Sequence, residues 1–177
     1  MIGGYASHGY AAEALGLLEA MKRLKVKPTY ITFISILNAC GHTGLVEEGR
    51  RCFESMGSEF GIEPGVEHFV ALVDIMGRHG QLNEAIDLIN GMSANADKAA
   101  WGALLGACRI HNNVELARFA AEALMKLEPE SSAPYVLLHN MYADVEQWEN
   151  AAEVRKMLER SNIKKECASS WVDSMVC

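Results

Sequence analysis

The sequence repeats itself at a step of about 35 residues, and that periodicity restricts the fold more than any other feature. When the copies are aligned on Gly9, Gly44, Gly80, Asn112 and Glu146, the steps are 35, 36, 32 and 34 residues. Eleven residues before this point stand Phe33, Phe69, Trp101 and Tyr135; eight before stand Met1, Ile36, Leu72, Leu104 and Leu138; four before stand Tyr5, Cys40, Met76, Cys108 and Tyr142. Offsets of three, four and seven share one side of a helix. A second ladder follows the turn. Ala14, Gly49, Ala85, Ala117 and Ala151 are all small; Leu18, Phe53 and Ile89, then Met21, Met56, Met92, Leu124 and Leu158, lie one and two turns further on. Each copy is therefore an antiparallel helix pair, too small to bury its own apolar face, and the pairs must stack.

The expected fold class is all-α: a right-handed α-solenoid of antiparallel helix pairs, with about nine to ten helices. Gly9, Gly44 and Gly80 suit the left-handed residue that ends a helix, and Asn112 is the next best choice. Glu146 suits it poorly, so the fifth turn is expected to close at Asp144. Pro28, Pro64 and Pro129 fall between units, and Asp97 is placed to cap a helix beginning near Lys98. The first unit lacks the opening aromatic, so the chain reads as starting inside a helix of a longer array. Trp171 is expected to fold back over the last pair.

Charge and cysteine usage exclude several function classes. The formal net charge is −7, with 7 basic and 12 acidic residues up to Asp97 and 9 and 11 beyond it. Such a surface does not attract phosphates as a whole, because affinity for a nucleic-acid backbone comes mainly from clustered cations. The five cysteines are widely spaced without a C-x-x-C pair, so neither a disulfide framework nor a zinc knuckle is indicated. Cys40 and Cys108 read as small buried hydrophobes. No apolar run approaches the roughly 20 residues needed to cross a bilayer. Nothing calls for a cofactor, a metal, a membrane or a small-molecule substrate.

The local wording then narrows the family. "MIGGYASHGYAAEALGLLEAMKRLKVKPTYITF" resembles a pentatricopeptide repeat of the plant PLS class, "TFISILNACGHTGLVEEGRRCFESMGSEFGIEP" is similar to its long variant, and "VEHFVALVDIMGRHGQLNEAIDLINGM" to its short variant. "AAWGALLGACRIHNNVELARFAAEALMKLEPES" and "APYVLLHNMYADVEQWENAAEVRKMLERSNIKKE" resemble the paired E-type motifs of such proteins. The tetratricopeptide repeat, a peptide-binding adaptor, is the nearest rival. The resemblance implies units at 1–28 (truncated), 29–65 (long), 66–97 (short), 98–131 and 132–165 (E-type), and a tail at 166–177.

It further implies an organellar RNA-processing factor, in mitochondria or chloroplasts, that specifies sites of cytidine-to-uridine editing. In that family single-stranded organellar RNA is read one nucleotide per unit, and the E-type region engages a deaminase-bearing or accessory editing protein. The family's two base-reading positions map onto Thr29, Ile34, Gly65, Val70 and Asp97, and the corresponding E-type positions, Gly102, Ser131 and Val136, mark a partner-docking face. Ile, Val and Gly offer no hydrogen bond to a base, so this stretch is expected to act as an adaptor, with weak RNA contacts as the alternative. A zinc deaminase needs H-x-E and a later C-x-x-C. None of the six histidines is followed by x-Glu, so no catalysis is expected.

Three groups invite sharper readings. Lys22, Arg23, Lys25 and Lys27 are candidate phosphate contacts, although cations at a helix C-terminus, like Arg160, Lys164 and Lys165 near the end, are stabilised locally without a ligand. His8, His42, His79 and His111 recur just before the turn, too far apart along a stack for one metal ion. The recurring aromatics read as core and not as base-stacking platforms.

Overall fold

The computed structural model describes residues 10–92 and 98–161. Nine helices account for them: α1 (Ala11–Arg23), α2 (Tyr30–Thr43), α3 (Val46–Ser58), α4 (Val66–Arg78), α5 (Leu82–Asn90), α6 (Lys98–Ile110), α7 (Val114–Leu127), α8 (Ala133–Asp144) and α9 (Trp148–Arg160). The even-numbered helices open each unit and the odd-numbered ones close it. No strand occurs among the described residues.

Each repeated letter becomes a contact. Phe33, Ile36, Leu72, Leu104, Cys40 and Cys108 are almost wholly buried, as are Ala14, Ala85 and Ala117 of the second ladder. Cys52 is buried as well. Phe33, Trp101 and Tyr135 sit in the core while Phe69 is half-buried, and three of the four find an aromatic partner edge-on: Phe33 on Phe60 at 5.4 Å, Phe69 on Phe53 at 5.0 Å and Trp101 on Phe119 at 5.6 Å.

The turns close by one repeated device. Gly44, Gly80 and Asn112 hold φ of 77°, 81° and 51°. The next residue donates its N–H to the carbonyl five positions back: Leu45 to Cys40 at 3.1 Å, Gln81 to Met76 at 3.0 Å, Asn113 to Cys108 at 2.9 Å. This is the six-to-one bond of a Schellman cap, and its acceptor is the ladder residue that stands four before the turn. Caps at the other end are equally local. Thr29 Oγ1 accepts from the Thr32 N–H while Thr32 Oγ1 accepts from the Thr29 N–H, and Asn113 Oδ1 accepts from the Leu116 N–H.

The fifth turn departs from expectation. It closes at Glu146, with φ of 60°, and not at Asp144, which is the last residue of α8. Gln147 N–H reaches the Tyr142 carbonyl at 2.8 Å, the same bond as in the other turns. Register has overruled residue preference, because shortening the turn would pull Tyr142 and Ala151 out of their buried seams. A β-carbon costs roughly 1–2 kcal/mol in this conformation. Glu146→Gly is therefore expected to stabilise the protein by about 1 kcal/mol, raising the thermal midpoint by roughly 2–4 °C; a lowered midpoint would contradict it. The expectations for Gly9, Asp97 and Trp171 lie outside the described residues.

Among the described residues the stack changes its step at the last unit. Opening helices pack on one another from α2 to α4 to α6, each also touching the closing helix before it. At the last unit α8 seats against α7 instead of α6.

Candidate RNA-facing groove and partner face

The opening helices α2, α4 and α6 line a shallow groove of about 770 Å³, walled by Ile34 and Asn38, by Val66, Glu67, Val70, Ala71, Asp74 and Arg78, and by Ala99 and Ala103. Of the residues singled out by sequence, Ile34 and Val70 meet here, half-buried, one unit apart. Gly102 lies on the exposed side of α6, where an added β-carbon would meet no atom within 4 Å. Val136 is half-buried on α8. Neither Gly102 nor Val136 lines this groove. Ser131 belongs to the turn before α8, where its Oγ accepts the Ala133 N–H at 3.4 Å. Asp97 lies outside the described residues.

Thr29 and Gly65 are occupied by the fold itself. Thr29 caps α2, as described above. Gly65 precedes α4 directly beneath the Tyr30 phenol, and a β-carbon there would lie 2.0 Å from the Tyr30 hydroxyl. Around this close approach is a cluster that sequence reading missed. His68 is fully buried; its Nδ1 accepts the Gly65 N–H at 3.2 Å and its Nε2–H donates to the Tyr30 carbonyl at 3.0 Å. The Tyr30 ring stands edge-on to the imidazole at 4.1 Å, and its hydroxyl donates to Glu67. His68 stands three residues after the cap, where Thr32 performs the same task in the preceding unit. That equivalence was the available signal.

Burial pushes the His68 pKa below its usual value, against the opposing pull of its backbone partners. Protonation would place a proton on the nitrogen that accepts from Gly65. Because the folded value is depressed, this group's stabilisation is complete above the unfolded pKa near 6.5 and is lost as pH falls below it. The loss reaches at most about 1.4 kcal/mol per pH unit until the folded-state value is passed. Melting at pH 7.5 and 5.5 is expected to show a larger acid-induced drop in wild type than in His68→Gln, which retains an acceptor for the cap but does not titrate. Equal drops would refute the assignment.

The basic cluster is distributed, not focused. Lys22 and Arg23 occupy the last turn of α1, and Lys22 is ion-paired with Glu59 of the next unit, which raises its pKa. Lys25 is held at φ of 55°, and Lys25 and Lys27 are exposed. His79 and His111 serve the turns, and His8 lies outside the described residues. His79 Nδ1 bonds the Ile75 carbonyl at 2.8 Å and its ring covers Gly44, where a β-carbon would lie 2.9 Å from Nε2. His111 bonds the Arg78 carbonyl at 3.1 Å and covers Gly80. Each ring thus lies over the turn glycine of the preceding unit and binds a helix-end carbonyl, a favourable place for a donor. No group of three or more His, Cys, Asp or Glu among the described residues could hold a metal. Burial raises the thiols of Cys40, Cys52 and Cys108 to about 11, 12 and 11, far from a reactive thiolate.

Comparison with known proteins agrees with this architecture. The family model described as pentatricopeptide repeat domain matches residues 1–43, that described as PPR repeat matches 31–59 and 67–95, and that described as E motif matches 111–173. A mitochondrial pentatricopeptide repeat-containing protein of Arabidopsis thaliana is 56% identical over 98% of this chain and 26% of its own length. The chloroplastic pentatricopeptide repeat-containing protein CRR2 of the same plant is 42% identical over 98% of this chain and 26% of its own length. The chain thus spans about a quarter of the length of these relatives. Among solved structures, the pentatricopeptide repeat protein PPR10 from maize superposes with a TM-score of 0.72 at 22% identity, covering 93% of this chain and 24% of that one. The chain belongs to the pentatricopeptide repeat family and carries that family's E motif over residues 111–173.

Proposed function

We propose that this chain forms the C-terminal part of an organellar RNA-processing factor, a site-specificity factor for cytidine-to-uridine editing, and serves there as an adaptor that recruits a deaminase or scaffold protein. The units at 29–65 and 66–97 act as the long and short repeats, and those at 98–131 and 132–165 as the E-type pair. Relatives named as mitochondrial and chloroplastic support the organellar setting. The observation that carries the adaptor role is the chemistry of the groove. Its base-reading positions are Ile34 and Val70, which have no group to hydrogen-bond a base, and it gives way on α6 to small apolar residues.

Ala99, Gly102, Ala103 and Gly106 form an open surface on α6. Added β-carbons at Gly102 and Gly106 would meet nothing within 4 Å, so another protein can approach the backbone closely. Weak RNA contact is the second reading, favoured by Asn38 and Arg78 in the groove and by the RNA bound in a related structure, PPR10 with an 18-nt psaJ RNA element (TM-score 0.50, 23% identity).

Two measurements separate the readings. Titration with single-stranded RNA at low and moderate salt is expected to give only weak, salt-sensitive, sequence-indifferent binding; submicromolar, selective binding would overturn the adaptor role. Capture of an organellar editing protein by the chain is expected to be lost in Gly102→Glu, which fills the open face without touching the core. Retained capture would remove that face from the proposal.

A further inference from the structure

The last two units enclose a pocket of about 270 Å³ between α7, α8 and α9, to which α6 contributes no residue. Its seam differs from the one between α3 and α5. In α3, Arg50 stands one residue after the small Gly49 and pairs with Glu84, one residue before Ala85 of α5. The same register sets Arg118, one after Ala117, against Asn150, one before Ala151, and both line the pocket. Asn150 carries no charge, and its Nδ2 donates to Gln147 at 2.9 Å. Arg118 instead lies along its own helix, 3.9 Å from Glu122.

Two groups are left unused. Glu153 takes part in no ion pair among the described residues. Tyr142 is 7% exposed and lines the pocket, and its hydroxyl has no hydrogen-bond partner among the described residues. The oxygen itself is not sealed from solvent, so it is open to a hydrogen bond from an incoming polar group. Arg118, Glu122 and Glu153 line the same pocket as this phenol. Two carboxylates against one guanidinium, itself paired, favour a cation and repel phosphate. Met125, Val154 and Met157 supply apolar walls suited to an aliphatic stem. The volume falls just below the roughly 300–1,000 Å³ typical of small-molecule sites and suits a single side chain.

We infer that this pocket receives a lysine or arginine side chain from a protein partner, its stem between Met125, Val154 and Met157 and its head among Glu122, Glu153 and the Tyr142 oxygen. The inference rests on the adaptor reading only in taking a protein as the source of the side chain.

The test uses the full chain with methyl-labelled methionines and an acetylated, amidated alanine-based peptide bearing one central arginine, with lysine and citrulline counterparts as probes. Saturable shifts of the Met125 and Met157 methyl signals are expected with the arginine and lysine peptides and none with citrulline. Tyr142→Phe and Glu153→Gln are each expected to weaken binding about tenfold. Equal response to citrulline, indifference to both substitutions, or stronger shifts with a single-stranded RNA oligonucleotide would overturn the assignment. Loss of partner capture in Gly102→Glu reports on the α6 face alone, so either proposal can fail while the other stands.

Discussion

Phe33→Ala is expected to destabilise the protein by about 3–5 kcal/mol, the range for emptying a buried aromatic site. Phe33 is 0% exposed and stands edge-on to Phe60, so its removal costs both the transferred area and the aromatic contact. The loss should be local. In a stack where each unit touches only its neighbours, α1 to α4 loosen while α7 to α9 keep their contacts. Hydrogen exchange should show protection falling by two or more orders of magnitude in Tyr30–Thr43 and little in Val114–Leu127. Uniform loss across both segments would mean that the array unfolds as one cooperative body, contrary to this reading.

Gly77→Ala is expected to destabilise by about 1–3 kcal/mol, although the same change in a helix interior ordinarily gains up to about 1 kcal/mol. Gly77 is buried in α4 against Ala107 of α6, and a β-carbon on it would lie 2.5 Å from the Ala107 β-carbon. Two methyl groups cannot share that space, and neither can swing away, so the two opening helices must separate. Gly102→Ala provides the control, because its β-carbon would enter open solvent and the ordinary gain should appear. A thermal midpoint lowered by roughly 3–10 °C in the first variant and unchanged or raised in the second is the expected pair of results. A raised midpoint in Gly77→Ala would show that the helices are not held at this separation.

The stacked architecture was legible because it depends on local periods. Phe33, Ile36 and Cys40 share a helical face whatever surrounds them, and their burial followed. The same holds for Ala85 and Ala117. The left-handed turn at Glu146 was not legible from residue preference, since glutamate is a poor choice there; the cost is borne by the seams on either side, which lie in different helices. The cap bond of His68 to Gly65 is local and could be read from its position, whereas its burial and its bond to the Tyr30 carbonyl arise only when α4 docks on α2. The pocket around Tyr142 shares that difficulty. Its polar groups stand on three helices and meet only when α8 and α9 dock on α7. Ile34 and Val70 were traceable to one groove, whereas the seating of α8 on α7 gave no sign in the spacing, because both kinds of step preserve the same ladders.

The change of step at α8 gives the described stack an origin. A uniform lattice carries no mark from which position can be counted, and a ligand bound along it could slide by one unit at modest cost. Where α8 leaves the row of α2, α4 and α6, translation by a unit no longer maps the surface onto itself. Whatever lies along the row acquires a fixed zero, and any group held beyond α7 sits at a set distance from it.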